Sequence, residues 1–317
     1  MKIPKRLLLA LSASLITGAL VHARPISMSG QGTTAAGQNG SNKPGQQSAP
    51  STQAKPAQPG QSASPASTGP VVAPEEVKDY QTIGSELSAG LDLDKVISLS
   101  GDFEKKYPNS SLLSYVYTFQ ATAYQEKGDV NKTVEAGEKS LKLNPDNLMS
   151  LIIMAGMLPQ PQLMQGSDLD KQKKLTDAEA DASHALQLID KIPKLANETD
   201  DQFKKRKDTI ASEPHGALGM IHLQRATMTL TGGMDADELA KAAQEFKQAV
   251  SLTDHPAPQY YYRLGEVYSH QNKLDDAIAA FSKASEIGQG SGIQQIADQQ
   301  IEELKKRQAQ AKPPAAH

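Results

Sequence analysis

The stretch PAPQYYYRLGEVYSHQNKLDDAIAAFSKASEIG, residues 256–288, decides how the rest of the chain is read. Tyr261, Leu264, Gly265 and Tyr268 stand three or four residues apart, and Ala277, Phe281 and Ala284 repeat that step further on. Side chains spaced in this way share one helix face, so the stretch predicts two short helices. Gly265, Ala277 and Ala284 fall where the helices cross, because only small side chains fit between backbones packed that closely. Leu264, Tyr268 and Phe281 fill the space around the crossing. A chain built on such a pair is better suited to binding something than to transforming it.

Tyr261-x-x-Leu264-Gly265-x-x-Tyr268 followed by Ala277-x-x-x-Phe281 resembles the tetratricopeptide repeat, with Tyr261 in place of its tryptophan. Weaker copies of the spacing lie upstream. Tyr80, Ile83, Gly84 and Leu87 open a first unit, and Val96, Ser100, Phe103 and Pro108 form its second half. Tyr117, Ala121 and Tyr124 open a second, which turns at Gly128-Asp129 and continues from Thr133 to Leu143. There Gly137 occupies a position usually held by a large apolar residue, which predicts an underfilled contact. A third unit begins with Leu151, Met154, Ala155 and Leu158 and then departs from the pattern. It inserts Pro159–Gly166, read as a tolerated surface insertion with a partner-contacting loop as the alternative, before a long helix that is opened by Ser167-Asp-Leu-Asp170 and carries Ala178, Ala182 and Ala185. A polar segment with a helix starting near Thr199 precedes the fourth unit, which begins after Pro214 with Leu218, Gly219 and His222. That unit turns at Thr231-Gly-Gly233 and ends with Ala242, Phe246 and Ala249. From Ser291 to Arg307, Ile293, Ile296, Ala297, Ile301 and Leu304 share one helix face, as a terminal helix with one wet side requires.

The expected fold is all-α: a helix-turn-helix solenoid of about five degenerate repeats over residues 75–308, closed by a C-terminal capping helix. Residues 1–23 have the basic start, apolar run and small-x-small end of a signal peptide. The run Leu7–Val21 would make a helix of about 22 Å, short of the ~30 Å hydrocarbon core. Export is therefore expected, with cleavage after Ala23, a periplasmic or extracellular location, and no transmembrane helix in the mature chain. Residues 24–74 are nearly all Gly, Gln, Ser, Ala, Thr and Pro and are read as a disordered linker; residues 309–317 are read as a disordered tail.

A net charge of −3 gives no reason to expect nucleic acid. The absence of cysteine removes disulfides, thiolate nucleophiles and cysteine-based zinc sites. There is no H-E-x-x-H, G-x-S-x-G or P-loop, and no histidines are paired at helical spacing, so no catalytic residue, metal or cofactor is expected. An enzyme or enzyme subunit with an unrecognised site is the rival reading. His222 is read as a packed, hydrogen-bonded side chain, and Lys204–Lys207, flanked by Asp200, Asp201 and Asp208, as a solvated helix face.

The resemblance to tetratricopeptide repeats implies a superhelix whose concave groove, lined by the first helix of each unit, holds a peptide or partner helix. Its groove positions map onto Gln81 and Ser85, then Tyr115, Thr118, Thr122 and Gln125, then Tyr262, Glu266 and Ser269. Tyr115 and Tyr262 are the foremost contacts, with Tyr261 assigned to the core. The Lys/Asn/Arg clamp that some members use for a C-terminal carboxylate is missing at these positions. The implied function is a non-catalytic protein-interaction scaffold of the cell envelope; the alternative is an envelope assembly or quality-control factor.

Overall fold

A computed structural model describes residues 72–229 and 233–311 of the chain. The expected signal peptide at 1–23, residues 24–71 of the expected linker, residues 231–232 of the fourth unit's expected turn and residues 312–317 of the expected tail lie outside the described residues. Eleven helices and no strand occur among the described residues. They pair in order: α1 (Pro74–Ala89) with α2 (Leu93–Lys106), α3 (Leu113–Lys127) with α4 (Val130–Leu143), and α5 (Leu148–Met157) with α6 (Asp168–Lys191). Next come α7 (Asp200–Ala226) with α8 (Ala236–Ser251), α9 (Pro258–His270) with α10 (Leu274–Ile287), and a closing α11 (Gly292–Ala311), which runs three residues into the stretch read as a tail.

Local chemistry sets these boundaries. Asp92, Asp129, Asn147, Ser167 and Asp235 each accept a backbone N–H at a helix start, as short polar N-caps do. Gly90 and Gly128 end α1 and α3 with φ of 60° and 77°, a left-handed conformation that costs glycine nothing. One boundary departs from the sequence reading. The fourth unit does not begin after Pro214: the polar segment and its first helix are one helix, α7, with Pro214 buried inside it. Thr199 and Gln202 form a reciprocal capping box that starts α7 well upstream. Proline inside a helix removes one backbone bond, and here α6, α8 and α9 packed around α7 hold it together across that gap.

Each first helix touches the first helix of the next unit, from α1–α3 through α9–α11, whereas successive second helices make no comparable contact among the described residues. The first helices therefore line the inner side of the array. Within a unit, the close crossing takes its predicted form. A Cβ placed on Gly265 would lie 2.8 Å from the Phe281 ring, and one on Gly219 would lie 2.7 Å from the Phe246 ring. Ala277, Ala284, Ala242 and Ala249 are fully buried beside them. The predicted gap at Gly137 is absent, since the Met154 thioether from α5 fills the place a Cβ would take. A flexible methionine from the next unit thus stands in for the missing side chain.

Two polar clusters join neighbouring units. Between units two and three, Asn147 Nδ2 lies 2.9 Å from Ser114 Oγ, 2.9 Å from Thr118 Oγ1 and 3.1 Å from Ser140 Oγ. Its Oδ1 accepts from Ser150 N, and Ser150 Oγ in turn meets Thr118 Oγ1 and Ser140 Oγ at 2.7 Å. Each buried side-chain group in this cluster has a partner, which is what makes such a cluster tolerable inside a core. Between units four and five, the Tyr260 hydroxyl donates to Glu213 Oε2 at 2.6 Å, and its ring lies over Gly216, where it leaves no room for a Cβ. Burial holds the Glu213 carboxyl above the usual carboxylate range, and the Tyr260 hydroxyl above that of a free tyrosine.

Asn147→Asp keeps a good N-cap but loses both amide protons and places a carboxylate among hydroxyls, so urea denaturation should show a loss of about 1–3 kcal/mol. Unchanged stability would mean that the amide protons are idle. Because the folded state raises the Glu213 pKa, this residue favours folding at low pH, and that contribution falls as pH rises through the raised value. Glu213→Gln should therefore gain stability relative to the parent as pH rises from the ordinary glutamate value of about 4. A difference that does not change with pH would contradict the raised Glu213 carboxyl.

Candidate partner-binding face

The inner face is defined by a fixed offset from the small residue at each crossing. Tyr262, Glu266 and Ser269 stand three before, one after and four after Gly265. In α1 and α3 the same offsets give Gln81 and Ser85, then Thr118, Thr122 and Gln125. Gln81, Ser85 and Gln125 are exposed, and Tyr115 is half-buried.

Thr118 and Thr122 are not groove positions. They are 4% and 6% exposed. Thr118 belongs to the Asn147 cluster, and Thr122 Oγ1 donates to the Thr118 carbonyl at 3.0 Å. Asn147 and Ser150 of the next unit cover Thr118, a contact that spacing within α3 does not carry.

The tyrosines of α9 divide their work differently from the sequence reading. Tyr260 is the deeply buried one, and its signal was the pair Glu213 and Gly216 on α7, one accepting its hydroxyl and the other admitting its ring. Tyr261 is half-buried against the core formed by α7 to α11. Tyr262 is half-buried and sets its ring edge against Phe281, with centroids 5.2 Å apart. Much of its surface therefore covers the crossing. Glu266 pairs with Arg263 at 2.7 Å, and Ser269 Oγ lies 3.4 Å from Arg307 Nη1.

Sequence reasoning named no site residue in the third and fourth units, yet the offsets from Ala155 and Gly219 select Ile152, Gly156 and the buried Pro159 in one, and the covered Gly216 with Met220 and Leu223 in the other. Ile152 is half-buried, and a Cβ on Gly156 would find no atom within 4 Å. Met157 is half-buried beside them in sequence, while Met220 and Leu223 are each 8% exposed. The face is thus polar on α1, apolar with an open backbone position on α5, and aromatic and acidic on α9. Glu126, near the end of α3, is half-buried, and its carboxyl is pushed up by that burial.

Three histidines are each paired with one carboxylate. Nδ1 of His222 lies 2.7 Å from Glu238, Nδ1 of His215 lies 2.7 Å from Glu245, and Nε2 of His184 lies 2.9 Å from Asp146. Among the described residues, no three His, Asp or Glu side chains are grouped to hold a metal ion. Nor is any described helix long and apolar enough to cross a membrane.

Residues 258–287 match the sequence profile of the tetratricopeptide repeat. No curated protein matches the chain. Similar solved structures include TTC0263, a thermophilic TPR protein of Thermus thermophilus, at 17% identity over 71% of this chain and 98% of that one, with a TM-score of 0.49. The assembly chaperone of RpL4 (Acl4) is 12% identical over 67% of this chain and 75% of its own, with a TM-score of 0.45. A tetratricopeptide repeat protein from Parabacteroides merdae is 13% identical over 74% of this chain and 100% of its own, with a TM-score of 0.29. With the repeat's sequence carried by residues 258–287 and α1 to α10 paired in turn around small-residue crossings, the chain holds a tetratricopeptide repeat within an all-helical, tetratricopeptide-like solenoid.

Proposed function

We propose that the chain is a non-catalytic scaffold that binds a protein partner of the cell envelope across its first-helix face, with the centre of contact on α5. The open position at Gly156 carries this reading. Gly265, Gly219 and Gly216 are covered by rings of the array, and Gly137 by a methionine, while Gly156 has nothing over it and Ile152, one turn earlier, is half-buried. A bare backbone lets a partner approach closely, and apolar neighbours gain roughly 25 cal/mol for each Å² they lose to water. The envelope location rests on the signal-peptide pattern of residues 1–23.

Gly156 and Gly101 make a matched pair for a test, since both are helical and a Cβ added at either would find no atom within 4 Å, but Gly101 lies on α2, a second helix. Arginine at either site should leave folding intact, as it gains up to about 1 kcal/mol in helix propensity over glycine. In capture from the native envelope by the tagged full-length chain, a partner held by the parent should be kept by Gly101→Arg and lost by Gly156→Arg. Retention by Gly156→Arg, or loss by Gly101→Arg, would contradict the assignment. The recovered bait should begin at Arg24, and one that begins at Met1 would contradict export.

A further inference from the structure

A second concave feature lies mainly on second helices. A cleft of about 680 Å³ opens between α4, α5, the 159–166 segment and α6. That volume falls within the roughly 300–1,000 Å³ typical of ligand pockets. Val134 and Leu141 of α4, Met154 and Leu158 of α5, and Leu163 of the inserted segment give it an apolar lining. The insert is fixed in place. Lys174 Nζ donates to the Leu163 carbonyl at 2.6 Å, Gln224 Nε2 to the Pro159 carbonyl at 3.1 Å, and Pro159 itself is buried. The segment that breaks the repeat pattern is therefore a built wall of the cleft.

The charges of the rim are unevenly committed. Lys173 pairs with Asp177 at 2.7 Å, Asp170 accepts from the Ser167 hydroxyl at 2.6 Å, and Lys174 is held by the Leu163 carbonyl. Asp181, one turn beyond Asp177 on α6, is half-buried in the cleft and forms no ion pair among the described residues. Glu138 across the cleft on α4 likewise forms none, and Lys142 is the one lining cation without a bond among the described residues. Burial and the neighbouring Asp177 push the Asp181 carboxyl up to about 6, so its charge is poorly solvated and uncompensated near neutral pH. An anionic ligand would meet Asp177 and Asp181 at the α6 side; a cationic one would relieve them.

We propose that this cleft is a docking site, separate from the first-helix face, for an extended peptide segment that places a lysine or arginine on Asp181 and apolar side chains on the Val134–Leu141–Met154–Leu163 lining. An ammonium or guanidinium there forms a charge-assisted bond with a half-buried carboxylate, stronger than the same pair in open solvent. The alternating demand, one cation among apolar residues, gives the site its selectivity.

The test is selection of a displayed random twelve-residue peptide library on the full-length protein at about pH 7.5, followed by fluorescence anisotropy of the enriched peptides as synthetic probes. The enriched peptides should carry Lys or Arg beside apolar residues. They should bind Asp181→Asn at least about tenfold more weakly, bind the exposed-charge control Asp102→Asn and Gly156→Arg as well as the parent, and weaken toward about pH 5 as Asp181 protonates. Asp181→Asn keeps the side chain's shape, and circular dichroism of each variant establishes that it is folded. Enrichment of acidic or uncharged peptides, equal affinity for Asp181→Asn, or no enrichment would overturn the proposal. Peptides weakened by Gly156→Arg instead would belong to the first-helix face and would also overturn it.

Discussion

The fold depends on keeping two helices of a unit close enough that a side chain on one rests on the bare backbone of the other. Phe246 on Gly219 and Phe281 on Gly265 are the plain cases. Elsewhere the side chain that rests on a small residue comes from the next unit. Gly84 of the first unit is covered by Phe119 of the second, 3.3 Å from its Cβ position. Gly137 is covered by Met154 of the third. Between the third and fourth units, Ala155, Ala182 and Ala217 pack against one another without any ring. Interiors packed to crystal-like density allow neither a void nor an overlap at such a point. Degeneracy in the repeat is therefore confined to how the space is filled, and the spacing of the helices survives it.

A second layer of constraint acts between units. Apolar crossings alone would leave neighbouring units free to slide, since dispersion contacts are not directional. The Asn147 cluster and the Glu213–Tyr260 pair are directional, and a shift of either junction would leave buried polar atoms without partners. The Arg225–Glu179 pair at 2.6 Å ties α7 to α6 in the same way. These junctions hold α3, α5, α7 and α9 in a fixed relation, which is what makes a continuous face out of separate helices. On the outer side, the same fixed relation between α4, α5 and α6 leaves room for the cleft that the inserted segment walls off.

Much of this was legible in the order of residues. The spacing in 256–288 implied the paired helices, and Ser167-Asp-Leu-Asp170 implied the start of α6, because both depend on side chains within a few residues of one another. What was not legible depends on contacts between units. Thr118 looks like an open polar position until Asn147 and Ser150 arrive from the next unit. Tyr260, Tyr261 and Tyr262 cannot be ranked by spacing, because their burial is decided by Glu213, Gly216 and Phe281. Pro214 reads as a break, yet the helices packed around α7 carry the helix through it. The apolar α5 offered no polar residue to mark a site, so Ile152 and Gly156 emerged only from the offset seen in the other units.

The central claim, that a ring resting on a glycine sets the helix spacing, is tested most directly by a double-mutant cycle at Gly265 and Phe281, with unfolding in urea as the readout. Alone, Gly265→Ala should destabilise, although alanine is favoured over glycine in a helix by about 0.8–1.0 kcal/mol, because its Cβ would lie 2.8 Å from the Phe281 ring. In the Phe281→Ala background the same change should become neutral or stabilising, with a coupling of at least about 1 kcal/mol between the two sites; Gly219 with Phe246 offers the same cycle one unit earlier. Equal effects of Gly265→Ala in both backgrounds would contradict the account.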